Sequence, residues 1–292
     1  MSLDMTPLTP RFGVEIKGID LAQVDDALYR EIRAAFEEHS ALLFRGQNVS
    51  DAAHLALARR FGPIENREAG DLKESPDYKV PEVSNILEDG SVSGEMDLHT
   101  LNLKANMLWH ADSTFLPIPA LANILIGRVV TQTGGATELA STRAGWADMP
   151  EDMRAQIRGR TVRHHLSHSR YRISPELAQL PMFHKWPEQT WKAVWRNPVN
   201  GHEALYIASH ARAIDGMDAG PAATLLDQLM TFVTQQAYTY RHQWQVGDVL
   251  IWDQRAVLHR ATEWDYTEPR KLTSLCVSAT SQDGVDDMAV SV

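Results

Sequence analysis

The sequence predicts a mostly β fold with flanking helices, built around a double-stranded β-helix core of the jelly-roll, cupin-like type. From Trp109 onward, short strand-like runs are separated by Gly, Pro and Asn, as in sandwiches and barrels. In that part, one stretch, PAATLLDQLMTFVTQQA, clearly has the apolar spacing of a helix. With 292 residues, of which 43% are hydrophobic, the chain can bury the core of one large domain, 1–292.

Residues 1–64 are predicted to form an α/β section. The run GVEIKGI alternates as a strand does, whereas DDALYREIRAAFEEHS has a helical period and begins with Asp25 or Asp26 as a cap. The apolar run ALLFRGQ is a second strand. Ser50 is expected to cap a second helix, AAHLALARRFG, which ends at a Gly-Pro pair.

Residues 65–105 are charged and irregular, with segments such as NREAGDLKESPDYKVPE and LEDGSVSGEMD. A structureless stretch of this length is typical of a functional loop or of a mobile one. We expect a lid loop over the active site here, with a disordered surface insertion as the alternative. Residues 106–280 then form the jelly-roll core with inserted helices. The strand-like runs after the loop are LWHADSTFL, ALANILIGRVVT, RTVRHHLSH, HEALYIASH, YTYRHQWQV, DVLIWDQ, AVLHRAT and KLTSLCVS.

Composition argues against several classes of function. The net charge of -10 is the opposite of what a phosphate-backbone partner requires, so we expect no nucleic-acid binding. The single cysteine, Cys276, cannot form an internal disulfide, and the first residues lack the apolar core of a signal peptide. No apolar run approaches the roughly 20 residues that cross a bilayer. A cytoplasmic protein with no membrane partner is expected.

The segment WHADSTF holds the first candidate ligands of a metal ion. On an extended strand, His110 and Asp112 would face the same side, because side chains alternate with period two. His259, in VLHRA at the end of a predicted strand, is the third candidate. Two histidines and one carboxylate leave neighbouring positions open on Fe(II), which a bidentate co-substrate and O₂ require. A His-x-Asp pair also arises by chance, so its context has to support this interpretation.

Arg270 and Thr137 supply that context. Arg270 precedes the strand-like run KLTSLCVS, and Thr137 lies in the predicted turn GGATEL. A guanidinium binds a carboxylate through two parallel hydrogen bonds, and a nearby hydroxyl donates a further one. The pair therefore suits the far carboxylate of a diacid that chelates the metal at its other end. A zinc hydrolase would have no use for such an arginine.

These residues resemble the 2-oxoglutarate-dependent dioxygenases typified by taurine dioxygenase and the dichlorophenoxyacetate dioxygenases. The similar motifs are, in order, ALLFRGQ, ARRFGPIE, WHADSTF, GGATELAS and GDVLIWDQRAVLHRA, followed by the Arg270 spacing. The resemblance implies that His110, Asp112 and His259 bind Fe(II). It also implies that Arg270 and Thr137 bind 2-oxoglutarate. The implied reaction uses O₂ to hydroxylate an unactivated C–H bond of a small substrate, with cleavage where that carbon bears an ether oxygen, and releases succinate and CO₂.

The phenoxy-herbicide branch of this family looks closer, which implies a small carboxylate substrate such as an aryloxyalkanoate. Sulfonate- and phenoxyacetate-oxidising relatives carry a second arginine four residues after the co-substrate arginine, and this chain has Ser274 there. Arg270, Leu272, Ser274 and Cys276 would face the same way on a strand, so a small neutral residue is expected to line the pocket. Arg163, in RHHLSHSRYR, is a candidate for the replacement charge, with a solvated basic face as the alternative.

Two more residues are candidate substrate contacts. They are His210, in IASHARAI, and Asn106, just before the ligand segment. The alternative for His210 is a histidine buried in the core, and the alternative for Asn106 is a simple turn residue. Two alternatives to a hydroxylase stay open: a desaturase on the same scaffold, and a non-catalytic jelly-roll module that binds metal or 2-oxoglutarate. By the same resemblance we expect a homodimer or homotetramer.

Overall fold

The computed structural model describes residues 3–65, 79–94 and 97–290. Within these ranges the strands are β1 (Asp4–Pro7), β2 (Val14–Lys17), β3 (Ala41–Phe44), β4 (Glu82–Ser84), β5 (Ala120–Val129), β6 (Thr137–Ser141), β7 (Thr161–His164), β8 (Gln189–Lys192), β9 (Val194–Arg196), β10 (Glu203–Leu205), β11 (Ala211–Ile214), β12 (Thr239–His242), β13 (Val249–Asp253), β14 (Val257–Ala261) and β15 (Lys271–Ser278). The α-helices are α1 (Asp26–His39), α2 (Asp51–Phe61), α3 (Leu98–Ala105), α4 (Thr142–Asp148), α5 (Glu151–Ile157), α6 (Leu166–Tyr171), α7 (Pro175–Ala178), α8 (Ala219–Val233) and α9 (Val285–Met288). In the described ranges, none of these helices has the length and apolar character needed to span a membrane.

The main sheet has seven strands, in the order β1-β2-β3-β13-β5-β15-β4. Strand β5 lies near its centre and pairs antiparallel with both β13 and β15. Its two faces pack differently: Ile124 and Ile126 contact the cluster that includes residues of α1 and α2, whereas Leu125 contacts the cluster that includes Leu139 of β6. Burial on both faces explains why this strand reads as a continuous apolar run.

A second sheet, of order β12-β6-β14, packs against the opposite face of the main sheet. Buried apolar side chains from both sheets fill the space between them, among them Leu250 and Leu272 of the main sheet and Leu139 and Val257 of the second. Two smaller sheets, β11-β7-β8 and β10-β9, and helix α8 pack around a separate apolar cluster. The space between the first two sheets is where the polar site lies.

The helices begin at the residues that the sequence indicates. The side chain of Asp25, rather than Asp26, caps α1 by accepting a hydrogen bond from the backbone of Leu28. Ser50 caps α2 in the same way. These caps satisfy backbone N–H groups that have no partner inside the helix.

Two predictions about local structure were wrong. The run LWHADSTFL does not form a strand: only His110 makes a β-bridge, to His259, and the chain then turns with Ser113 at φ 61°. Segment 65–105 is not structureless where it is described, because β4 pairs with β15 and α3 precedes Asn106. The prediction of a lid loop falls partly on residues 66–78 and 95–96, which lie outside the described residues.

Candidate active site

The two candidate histidine ligands are brought together by backbone pairing. The backbone N–H of His110 donates to the carbonyl of His259 at 3.0 Å, and that of His259 donates back at 2.8 Å. The turn after His110 then returns the carboxylate of Asp112 to the same place. One ligand atom from each of the three residues lies within 4.8 Å of the others. Two histidines and one carboxylate in this arrangement are the ligand set of non-haem Fe(II) oxygenases.

Both histidines are held in a form that suits a metal ion. Nδ1 of His110 lies 2.7 Å from the carbonyl oxygen of Leu108, so it donates there and Nε2 carries the lone pair for the metal. Burial, together with the neighbouring His110, lowers the pKa of His259 to about 3. A neutral imidazole is the form that binds a metal. The Nδ1 hydrogen bond of His110 and the lowered pKa of His259 thus suit binding of a metal ion by one ring nitrogen of each, beside one carboxylate.

Two side-chain amides fix the orientation of the Asp112 carboxylate. Its Oδ2 accepts from Nδ2 of Asn123 at 2.8 Å and from Nε2 of Gln254 at 2.7 Å. Oε1 of Gln254 also accepts from the backbone N–H of Asp112 at 3.0 Å, so the Gln254 side chain forms two hydrogen bonds with Asp112. Because Oδ2 already accepts two amide hydrogens, a metal ion would be bound through Oδ1.

The sequence interpretation missed both amides. Asn123 did carry a signal, because it is a single polar residue inside the buried apolar run ALANILIG, and a buried polar side chain needs partners. Gln254 carried none, since it lies in the turn between β13 and β14, where polar residues are ordinary.

Arg270 is a buried cation at another part of the same cavity. It is 3% exposed, and its guanidinium donates to the carbonyl of Gly135 at 3.1 and 3.3 Å. No carboxylate of a described residue forms an ion pair with it. Burial lowers its pKa to about 10, which reflects the cost of desolvating an uncompensated charge. This arrangement favours an anionic ligand.

Thr137 and Gly135 complete the surroundings of Arg270. Thr137 is the first residue of β6, and its Oγ1 accepts from Nε1 of Trp244 at 3.0 Å, so its own proton is available to a ligand. Gly135 has φ 61°, and a Cβ there would lie 2.8 Å from Oγ1 of Thr131 and 3.1 Å from Nε of Arg270. Only glycine allows this carbonyl to approach the guanidinium without strain.

One cavity of about 370 Å³ is lined by both groups of residues. Asn106 and Ser274 line it, as do Leu272 and Cys276, so the β15 residues that were expected to share a face all reach the pocket, and Leu275 contributes as well. His210 and Arg163 are not among its lining residues. The sequence-predicted site residues in the cavity wall are Asn106, His110, Asp112, Thr137, His259, Arg270 and Ser274.

His210 and Arg163 have other surroundings. His210 is buried behind His110, with ring centroids 6.2 Å apart, and its Nδ1 lies 3.2 Å from Oγ1 of Thr114. Arg163 is partly exposed on β7 and forms ion pairs with Glu188 and Asp215. The structure therefore does not bring the predicted replacement charge to the cavity.

Comparison with known proteins identifies the family. Residues 4–276 match the family model described as taurine catabolism dioxygenase TauD, TfdA family. The chain belongs to the TauD/TfdA family. It is therefore an enzyme of the dioxygenase class, as its motifs indicated.

Relatives of this TauD/TfdA chain are similar over nearly their whole length. The (S)-phenoxypropionate/alpha-ketoglutarate-dioxygenase of Sphingobium herbicidovorans is 34% identical, with 92% of each chain covered. The alpha-ketoglutarate-dependent 2,4-dichlorophenoxyacetate dioxygenase of Cupriavidus pinatubonensis is 32% identical, over 93% of this chain and 96% of that one. A crystal structure of AAD-2 in complex with Mn(II) and N-oxalylglycine superposes with a TM-score of 0.88 at 29% identity, over 96% of this chain and 98% of that one.

Proposed function

We propose that this TauD/TfdA dioxygenase binds Fe(II) and 2-oxoglutarate and hydroxylates an unactivated C–H bond of a small aryloxyalkyl molecule. The observation that carries the proposal is the buried guanidinium of Arg270, which pairs with no carboxylate of a described residue and lies in the same cavity as a cluster of two histidines and one carboxylate. A diacid that chelates a metal at one end needs both features. The names of the phenoxypropionate and dichlorophenoxyacetate relatives support the aryloxyalkyl class.

Seven residues of the cavity have a role in this proposal. His110 and His259 would hold Fe(II) through Nε2 and Asp112 would hold it through Oδ1, and the bound iron would supply the activation of O₂ that yields succinate, CO₂ and the oxidised substrate. Arg270 and Thr137 bind the far carboxylate of 2-oxoglutarate and so orient it. The apolar side chains of Leu125 and Leu272 exclude water from the cavity between them.

The wider architecture follows the same proposal. We infer that the main sheet and the β12-β6-β14 sheet are the two layers of a double-stranded β-helix within a single domain.

Hydroxylation next to an ether oxygen would give a hemiacetal, and the collapse of this hemiacetal would cleave the ether. The cytoplasmic location and the homodimeric or homotetrameric state stay predictions.

An anaerobic titration tests the proposal. Purified metal-free protein receives Fe(II) and then 2-oxoglutarate, and the weak visible charge-transfer band of the chelate is recorded. We expect the band in the wild type and in Asp287→Ala, which changes an exposed aspartate, but not in Asp112→Ala. An iron-loaded wild type without the band would contradict the proposal and favour a non-catalytic binding module.

Product analysis distinguishes a hydroxylase from a desaturase, which is the remaining alternative. Aerobic reactions with aryloxyalkyl probes are followed by succinate release, and the products are examined by mass spectrometry. A hydroxylated or ether-cleaved product is expected. Loss of two hydrogens from the probe, without added oxygen, would instead identify a desaturase.

A further inference from the structure

The hydrogen bonds around Asp112 have a fixed direction. A carboxylate that binds a metal is ionised and only accepts hydrogen bonds. Nδ2 of Asn123 therefore faces Oδ2 of Asp112, at 2.8 Å. This assigns the Asn123 amide without ambiguity, because the opposite orientation would place two acceptor oxygens against each other.

The orientation of the Asn123 amide also determines which atom donates in its hydrogen bond with Ser274. With its nitrogen toward Asp112, Asn123 turns Oδ1 toward Ser274, whose Oγ lies 3.0 Å away. An amide oxygen has no hydrogen to give, so the serine hydroxyl is the donor. Its single proton is thereby used, and only its lone pairs are left for a molecule in the cavity.

The wall around Ser274 has the same accepting character. Ser274 pairs with Leu125 on β5, and Leu272 lies on the same face of β15, so its surroundings are otherwise apolar. Glu65 also lines the cavity, and its backbone N–H donates to the carbonyl of Cys276, two residues after Ser274. The Glu65 carboxylate accepts a hydrogen bond from the hydroxyl of Ser113, so a second carboxylate, besides that of Asp112, belongs to the cavity wall.

The cavity offers little positive charge for a second anion. Among the described residues that line it, the arginines are Arg260 and Arg270. Arg260 forms two hydrogen-bonded contacts of 2.7 Å with Glu138, a carboxylate that it shares with Arg241, so its guanidinium is held at that carboxylate. Arg270 serves the co-substrate in the proposed function. Among the described lining residues, an anionic group placed against Ser274 would thus face acceptors, with no arginine beside Ser274 other than the two already engaged.

We propose that Ser274, oriented by Asn123, selects substrates whose polar group at this wall is an uncharged hydrogen-bond donor, such as an alcohol, rather than a carboxylate. The proposal rests on the proposed function and narrows it: the aryloxyalkyl part is kept, and the carboxylate that the family resemblance implies is replaced by a hydroxyl. A carboxylate could bind Ser274 only by taking the proton from Asn123, which would leave a buried amide oxygen without a partner.

Three matched probes test this selection: 2-phenoxyethanol, which offers a hydroxyl donor, phenetole, which lacks it, and phenoxyacetate, which replaces it by a carboxylate. Each is titrated anaerobically into the protein loaded with Fe(II) and 2-oxoglutarate, and binding is measured as the perturbation of the visible band. We expect 2-phenoxyethanol to bind at least about fivefold more tightly than phenetole, the ratio that one hydrogen bond provides, and phenoxyacetate to bind most weakly.

Two variants then assign the preference to Ser274. Ser274→Val removes the acceptor and leaves an apolar side chain on the wall, so it should abolish the advantage of 2-phenoxyethanol over phenetole. Ser274→Arg introduces a cation and should bring phenoxyacetate to the top of the order. The band before any probe is added reports metal and co-substrate binding in each variant, so that a folding defect is recognised.

The outcomes are distinguishable. Absence of the band in the wild type, before any probe, contradicts the proposed function itself. With the band present, the inference is overturned if phenoxyacetate binds best, if the three probes bind alike or not at all, or if Ser274→Val leaves the ratio of 2-phenoxyethanol to phenetole unchanged.

Discussion

The two polar ends of the cavity have opposite hydrogen-bonding character. At one end, Arg270 and Thr137 present donors and a buried positive charge that no described carboxylate balances. At the other, Asp112, Asn123 and Ser274 form a chain in which every donated hydrogen already has an acceptor. The two ends of the cavity therefore suit different groups: an anionic end group is stabilised near Arg270, whereas a hydrogen-bond donor is stabilised near Ser274.

Both ends are built from the same strand. Arg270 immediately precedes β15, and Ser274 follows four residues later on the same face. Because alternate residues of a strand share one side of a sheet, two opposite chemical environments can lie close together. What makes them opposite is the partner from another strand: the carbonyl of Gly135 at one end and the amide of Asn123 at the other.

The largest effect is expected from removing the charge at the co-substrate end. In Arg270→Leu, the affinity for 2-oxoglutarate should fall by about 100-fold or more, because the ligand's carboxylate would be buried without its cation. Calorimetric titration of the metal-loaded protein measures this affinity.

Arg163→Leu is the matched control, since Arg163 forms its ion pairs outside the cavity. Its affinity for 2-oxoglutarate should equal that of the wild type. If Arg270→Leu and Arg163→Leu bound 2-oxoglutarate with equal affinity, Arg270 would not be the residue that binds its carboxylate.

A smaller effect is expected at the metal end. In Asn123→Leu, the Asp112 carboxylate loses one of its two amide donors, so the affinity for Co(II) should fall by about tenfold, as for other residues that orient a metal ligand. Competition with a chelator measures it. At saturating metal the affinity for 2-oxoglutarate should stay unchanged; a parallel fall of both affinities would mean that the ends are not independent.

The smallest effect separates backbone strain from contact with Arg270. Gly135 and Gly159 both have positive φ, so alanine at either position should destabilise the fold by about 1–2 kcal/mol through backbone strain, and Gly135→Ala by more because its Cβ would also press on Oγ1 of Thr131. Only at Gly135 would the new methyl group press on the guanidinium, whereas nothing lies within 4 Å at Gly159. We expect the affinity for 2-oxoglutarate to fall a few-fold in Gly135→Ala alone, by calorimetric titration. An equal fall in Gly159→Ala would assign the effect to stability.

Local patterns in the sequence determined where two helices begin, which residues of β15 face the pocket, and the family to which the chain belongs. The alternation of β15 placed Ser274 and Cys276 on the pocket face, and the capping residues Asp25 and Ser50 began two helices. Such features depend on side-chain periodicity and on hydrogen bonds between residues close in sequence, so they can be read without the fold. The motifs likewise indicated the family that the comparisons confirmed.

Tertiary structure alone decided how the site is assembled. His110 was expected on a strand, yet it reaches His259 through a single bridge and the following turn, with Ser113 at positive φ, presents Asp112. Local patterns do not reveal that Asn123 and Gln254 bind the same carboxylate oxygen, or that His210 lies behind the pocket. These placements depend on strand register and on which buried polar atoms become partners, and both are set by contacts between residues far apart in the chain.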